Sequence, residues 1–334
     1  MRDRTFGRAG WHVSEIGVGT WAMGCMWGPR DDREAVRAIH RALELGVNFL
    51  DTALGYGDGH AERLIAKALQ RRPESVYVAT KVLPKNMEWP ARHDVPVKEV
   101  FPTKWIIACT ERSLRHLKRE TLDLQQLHVW SARWLTELEE WLPAVERLKQ
   151  AGKIRAFGIS VNDCEPETAL TAVSSGLIDS VQVIYNLFEQ APAERLLPQC
   201  QAHRVAVIIR VPFDEGSLTG TLTDRTTFHP DDWRRTYFHG ERLRETVQRV
   251  ERLRTLLTQD SRTLAQAALA FCLSHPAAST VIPGMRRVAH VEANCDTSVA
   301  HRFNDEELAR LREHAWPRNF YQRDPDQAVL APHS

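Results

Sequence analysis

No stretch of this sequence approaches the roughly 20 apolar residues of a membrane-spanning helix. The most apolar early segment, Ile16 to Gly28, is short and broken by glycines. The opening residues, Met1-Arg2-Asp3-Arg4-Thr5-Phe6-Gly7, hold no apolar core of a secretion signal, so none is expected. Charge of one sign is lacking too. Against 44 Lys and Arg stand 43 Asp and Glu, a formal net charge of +1 that provides no overall field to hold a polyanion or a membrane surface. Neither nucleic acid nor membrane is an expected partner. The six cysteines (Cys25, Cys109, Cys164, Cys200, Cys272, Cys295) are scattered without a Cys-x-x-Cys pair, which points away from zinc and disulfide frameworks and toward a reduced, cytoplasmic setting.

What the chain has in quantity is alternation. Its 334 residues suffice for one barrel-sized domain or two ordinary ones, and composition does not choose. Short β-branched and aliphatic runs alternate with longer amphipathic runs, the pattern of βα units feeding a parallel sheet. Eight such units can be counted, with strands expected at Glu15 to Trp21, Asn48 to Ala53, Ser75 to Val82, Leu122 to Trp130, Ile154 to Val161, Ser180 to Asn186, Val205 to Val211 and Ser279 to Pro283. Thr5 to Val13 reads as a hairpin cap ahead of them, and Glu241 to Leu257 and Asp305 to His314 as extra helices. Eight repeats of one unit predict a single (β/α)8 TIM barrel over residues 1–334. Between Leu83 and Phe101 lies a proline-marked loop with little periodicity, and such length favours a functional role over an incidental one. The tail, 316–334, is expected near the active site.

Active sites of this fold lie at the C-terminal ends of the strands. Three expected strands end on, or run into, chemistry: Asp51 with Tyr56 in the following Gly-rich loop, Lys81, and His128. Each alone has an ordinary reading as a helix cap, a solvated lysine or a structural histidine. Together they form a constellation. A lysine beside a tyrosine favours the phenolate, and a carboxylate keeps that lysine charged and in place. A phenol with an ordinary pKa of about 10 thereby becomes a usable proton donor, and His128 either shares the proton or orients a carbonyl oxygen. No nucleophile–base pair, metal cluster or glycosidase carboxylate pair accompanies them. The set suits proton delivery to a carbonyl rather than hydrolysis.

Taken with Gly17-Val18-Gly19-Thr20-Trp21, Asp51-Thr52-Ala53, Tyr56-Gly57, Thr80-Lys81, Leu127-His128, Gly152-Lys153-Ile154-Arg155, Gly158-Ile159-Ser160, Val181-Gln182 through Tyr185-Asn186 and Ile282-Pro283-Gly284-Met285-Arg286, the sequence resembles the aldo-keto reductase superfamily. The match follows nearly the whole chain in order. The resemblance implies a (β/α)8 enzyme that uses a nicotinamide cofactor without a Rossmann domain, reducing an aldehyde or ketone to an alcohol. It makes Tyr56 the general acid, Lys81 and Asp51 its tuning pair and His128 the substrate-orienting or proton-sharing partner, with Ser160 and Gln182 holding the nicotinamide carboxamide.

Three departures from the family pattern stand out. Ser160 is followed by Val161 rather than Asn, so Asn162 is the candidate for the displaced amide. Arg210 replaces an aromatic that many relatives stack on the nicotinamide, and is expected to touch the cofactor. His290 stands where relatives often carry Arg or Gln. Gly284 and Arg286 open a helix suited to the adenosine 2′-phosphate, and Asn294 suits the adenine, so NADP(H) is expected ahead of NAD(H). Pro212-Phe213-Asp214-Glu215-Gly216-Ser217-Leu218-Thr219-Gly220 resembles the loop that folds over the pyrophosphate, with Pro212, Phe213, Gly216 and Leu218 as contacts.

Trp21, Trp27, Trp89, Trp130 and Trp134, with Trp316 and Phe320 of the tail, suggest aromatic walls for a small carbonyl compound, and Trp21 and Trp130 are the chosen substrate contacts. Two rival functions keep the same fold. One is a redox-sensing module that binds NADPH with little turnover, as in the potassium-channel β-subunits that resemble this superfamily. The other is an aldolase with a Schiff base on Lys81, which leaves Tyr56 and Ser160 without roles. The substrate and the oligomeric state are not legible.

Overall fold

The computed structural model describes every residue except 25, 71, 73–74, 258–261 and 322–334. At the N-terminus, β1 (Asp3–Phe6) and β2 (Trp11–Ser14) pair antiparallel as a hairpin. Eight strands follow: β3 (Val18–Gly19), β4 (Phe49–Asp51), β5 (Tyr77–Val82), β6 (Leu122–Leu127), β7 (Ile154–Ser160), β8 (Ser180–Ile184), β9 (Ala206–Arg210) and β10 (Ala278–Val281). They lie side by side in chain order, each parallel to the next.

The ring closes between its first and last strands. Ile16 bridges Val281 and Gly19 bridges Gly284, both parallel, with Gly17 N–H donating to Val281 O at 2.8 Å and Gly19 N–H to Pro283 O at 3.0 Å. Glycine is what lets the two backbones approach there. A Cβ on Gly19 would sit 2.6 Å from the Ile282 carbonyl oxygen. This is the (β/α)8 barrel expected from the eight repeats.

The helices form where local signals put them. Asp31 caps Asp32–Glu44 by accepting from the Arg33 and Glu34 amides, and Ala35, Ile39 and Leu43 turn inward at helical spacing. Thr263 and Gln266 make a reciprocal capping box on Leu264–Ser274, as Asn304 and Glu307 do on Asp305–Arg312. The charged helix, Arg242–Leu256, buries only Thr246, Val250 and Leu253. No helix among the described residues is long and apolar enough to cross a membrane.

Some boundaries differ from the sequence expectation. The first barrel strand stops at Gly19, because the Thr20 carbonyl accepts from Met23 and Gly24 and starts the short helix Trp21–Gly24. Strand β6 ends at Leu127 rather than Trp130. The long loop contains a helical turn, Val97–Val100.

Apolar packing falls into two layers. The larger lies between sheet and helices and holds Trp130, Trp134, Trp141 and Phe157. The smaller fills the barrel's interior with Phe49, Ala79, Leu124, Ala156, Ala206 and Ile208, and the hairpin closes it from below with Phe6 and Trp11. Phe6 stacks on Trp11 at 5.3 Å and on Phe49 at 5.6 Å, so the cap is packed into the barrel floor.

Replacing Gly19 by Ala forces a methyl against the Ile282 carbonyl at the closing seam and should destabilise the fold by about 1–3 kcal/mol. Denaturant unfolding checks this. A loss below about 0.5 kcal/mol would show that the seam does not need the close approach.

Candidate active site

The pleat decides which side chains reach the barrel's mouth. Side chains two apart on a strand share a face, so each residue two positions beyond the apolar floor points into the same lumen one layer higher. Phe49 leads to Asp51, Ala79 to Lys81, Leu124 to Gln126, and Ile208 to Arg210. Ser180 leads to Gln182, and Gly158, whose Cβ would meet Ser180 Oγ at 2.1 Å, leads to Ser160. A dry floor therefore carries a ring of polar groups, and the intervening residues face the helices. Thr80 Oγ1 donates to Glu62 at 2.7 Å, and Gln125 donates to Thr110 at 3.2 Å.

Lys81 is at the centre of that ring and almost wholly buried. Its ammonium donates to Asp51 Oδ1 at 2.6 Å, to the Thr52 carbonyl at 2.8 Å and to Tyr56 Oη at 3.4 Å. Three donors meet three acceptors. Burial pushes the Asp51 carboxyl up and the Lys81 ammonium down, and the attraction between the two opposes both shifts. With the geometry this close, the charged pair is the state the site is built for.

The loop from Ala53 to Gly59 brings Tyr56 to the ammonium. Gly57 and Gly59 adopt φ of 63° and 76°, conformations that suit glycine, and a Cβ on Gly57 would lie 2.3 Å from the Gly24 carbonyl. His128 stands edge-on to Tyr56, with ring centroids 5.7 Å apart. Its pKa is held well below the usual 6.5 by burial first, then by Lys81 and Arg210. The imidazole is therefore neutral near pH 7, and its Nδ1 is buried without a partner among the described residues.

Asp51, Tyr56, Lys81 and His128 thus come together, and Ser160, Gln182 and Arg210 share their ring. Arg210 donates through Nη2 to the Val161 carbonyl at 3.0 Å and to Asp163 at 2.6 Å, and its Nε is buried with no partner among the described residues. Among the described residues Gln182 Oε1 is likewise buried and unpartnered, as are both side-chain amide atoms of Gln126. These unfilled hydrogen-bonding positions fit a polar ligand such as a nicotinamide. Among the described residues, no group of His, Cys, Asp and Glu could hold a metal ion.

Two assignments need correction. Asn162 does not present its amide to the mouth. It brackets Ala91, accepting from the amide at 3.1 Å and donating to the carbonyl at 3.0 Å, and donates to Glu165 at 2.9 Å. It pins the long loop of residues 84–101 onto the strand ends. Trp130 is no substrate wall either. It is fully buried, its indole N–H donates to the Thr168 carbonyl at 3.1 Å, and its ring meets Trp134 and Trp141 edge-on beneath the helices. An apolar side chain past a strand end has two ways to be buried, and this one packs outward.

Trp21 stays half-buried, and its ring lies 5.6 Å from Trp233, which stacks on Tyr321. The pinned loop sets Trp89 edge-on to His128 at 5.8 Å. Arg286 donates to the Trp27 carbonyl at 2.8 Å, His290 is exposed, and Asn294 is buried with its Nδ2 unpartnered. Gly284 is exposed, and Gly216 takes φ 96° in the loop after β9. Within that loop Pro212 is buried and Phe213 packs against the core, while the Leu218 side chain is buried in the core, leaving only its backbone for a ligand.

The stretch from Trp316 to Tyr321 packs on that same loop. Arg318 pairs with Asp214, and Tyr321 Oη donates to Glu215 at 2.6 Å. Burial pushes the Glu215 carboxyl up to about 7. The remainder of the expected tail lies outside the described residues. Gln126, Trp233, Glu215 and Tyr321 were not singled out from sequence. Pleat parity from Leu124 flags Gln126, whereas no local signal marks the other three.

A sequence profile of the Aldo/keto reductase family matches residues 15–315. The chain belongs to this family. As an aldo-keto reductase it is an NAD(P)H-dependent oxidoreductase. It is 31% identical over 299 residues to aldo-keto reductase YhdN of Bacillus subtilis, covering 88% of this chain and 87% of that protein. Glycerol dehydrogenase AKR11B4 from Gluconobacter oxydans superposes with a TM-score of 0.77 at 28% identity, over 93% of this aldo-keto reductase and 94% of that chain. An aldo/keto reductase from Klebsiella pneumoniae, solved with NADP and acetate, gives 0.70 at 26% identity over 96% and 98%.

Because the folded His128 stays neutral while the unfolded imidazole gains a proton below about pH 6.5, stability should fall as pH drops through that range. Nitrogen-15 NMR at about pH 6 should show neutral His128, and an imidazolium signal there would contradict the burial argument. Asn162→Ala should lower stability by about 2 kcal/mol and raise hydrogen exchange around Ala91 while cofactor affinity changes less than twofold. A large affinity loss with an unchanged loop would return Asn162 to the cofactor.

Proposed function

We propose that this protein reduces a small aldehyde or ketone to the alcohol with NADPH, Tyr56 supplying the proton. The observation that carries this reading is the Lys81 ammonium held between Asp51 at 2.6 Å and the Tyr56 hydroxyl at 3.4 Å. A carbonyl oxygen set against Tyr56 Oη and neutral His128 accepts the phenolic proton as its own charge grows. The buried ammonium stabilises the negative charge left on the phenol, and Asp51 holds that ammonium in place. The nicotinamide, when bound, supplies the hydride. In this reading Ser160 and Gln182 orient its carboxamide, supported by the buried Gln182 Oε1 that has no partner among the described residues.

NADP(H) is favoured over NAD(H). Arg286 and Arg287 immediately precede the helix Val288–Asp296, where their cations suit a phosphate, and the Klebsiella pneumoniae relative was solved with NADP. Trp21, Trp89 and Trp233 give the mouth aromatic walls that suit the apolar part of a carbonyl compound. The Schiff-base alternative loses support because Lys81 has every N–H engaged and is enclosed.

Tyr56→Phe should leave NADPH affinity within about twofold and cut carbonyl reduction by about two to four orders of magnitude. Fluorescence titration reads the first, and stopped-flow oxidation of bound NADPH against an aldehyde panel reads the second. Equal turnover in both proteins defeats the proton-donor role. Wild-type protein that binds NADPH and oxidises none of it would favour the sensor reading.

A further inference from the structure

Arg210 is the one charged group in the ring that the proposed proton transfer leaves without a task. Its strand fixes its position. Ile208 lies in the apolar floor and Arg210 is two residues on, so the guanidinium rises into the same mouth as Lys81, Gln182 and Ser160. Among the described residues only Nη2 is engaged, on the Val161 carbonyl and Asp163, and Nε is buried without a partner. A side chain of this kind is held in place from one side and open on the other.

Any nicotinamide that passes hydride to a carbonyl resting on Tyr56 has to lie in this mouth, within reach of that cation. The two redox forms differ there in one respect that charge can read. The oxidised ring carries a positive charge and the reduced ring is neutral. We infer that Arg210 sets the redox-state preference of the cofactor site, disfavouring NADP+ against NADPH by placing a half-buried guanidinium beside the ring. The inference rests on the reading of this mouth as a nicotinamide site and adds a property which that reading does not require.

The surrounding charges decide how much of the effect survives. Lys81 is balanced by Asp51 at 2.6 Å, and Arg210 is partly balanced by Asp163 at 2.6 Å. Glu215, raised to about 7 by burial, is bonded to Tyr321 and offers at most a fraction of a countercharge near neutrality. His128 is neutral. Asp163 therefore acts as a partial shield on Arg210, and the residual positive charge favours retention of NADPH and release of NADP+.

The ratio Kd(NADP+)/Kd(NADPH), measured by fluorescence or calorimetric titration without any substrate, reads this directly. Wild-type protein should bind NADPH more tightly. Arg210→Met should lower the ratio about tenfold, and Arg210→Lys, which keeps the charge and changes the shape, should hold it within about twofold. Asp163→Asn, which strips the shield, should raise the ratio, and serves if the Arg210→Met protein fails to fold. A ratio unmoved in both the Met and the Asn variants, or moved equally by Met and Lys, overturns the inference. Wild-type protein that binds neither form overturns it together with the proposed activity, whereas normal binding with an unmoved ratio overturns it alone.

Discussion

The site depends on one buried ion pair. Asp51 and Lys81 are set together by the register of β4 on β5, in which Asp51 lies opposite Ala79, so that the side chain two residues further on reaches across to the carboxylate. Both groups give up water beneath the mouth, and neither would stay charged there alone. A pair of this kind contributes little net stability when intact, yet removing one member costs about 3–5 kcal/mol because the other is left uncompensated. The third contact of the ammonium places Tyr56. Geometry, charge state and the enclosure of the lumen are therefore different faces of a single arrangement.

The apolar floor makes that arrangement possible. Phe49, Ala79, Leu124, Ala156 and Ile208 keep the lower lumen dry, and the N-terminal hairpin stops water from entering at the far end. The low-dielectric layer strengthens every electrostatic contact above it. Behind the strands, buried Glu62 joins Thr80 to His116 and so ties the Tyr56 loop's helix to the strand that carries Lys81. The polar ring is thus braced from outside as well as filled from below.

Much of this was legible in the sequence because barrel strands and helices announce themselves locally. The alternation of short apolar and long amphipathic runs located the elements to within a few residues. Tyr56 and the three groups around it were legible because parallel strands of one barrel end on one rim. What the sequence hides is direction past the strand end. Trp130 and Asn162 follow strands at the mouth, and nothing local says that one turns under a helix while the other clasps Ala91 in a loop 71 residues away. Trp233, Glu215 and Tyr321 were hidden for the same reason, since their partners lie in other segments.

The closing seam joins Ile16 to Val281 and Gly19 to Gly284. On a ribosome, the first of each pair emerges long before its neighbour and must wait for it. Until then the growing sheet has two raw edges, one at β3 and one at the newest strand, each with unpaired backbone groups able to capture another chain. A nascent polypeptide of this design is at its most adhesive just before β10 emerges to close the ring, which makes that interval the one when holdase chaperones have the most to protect.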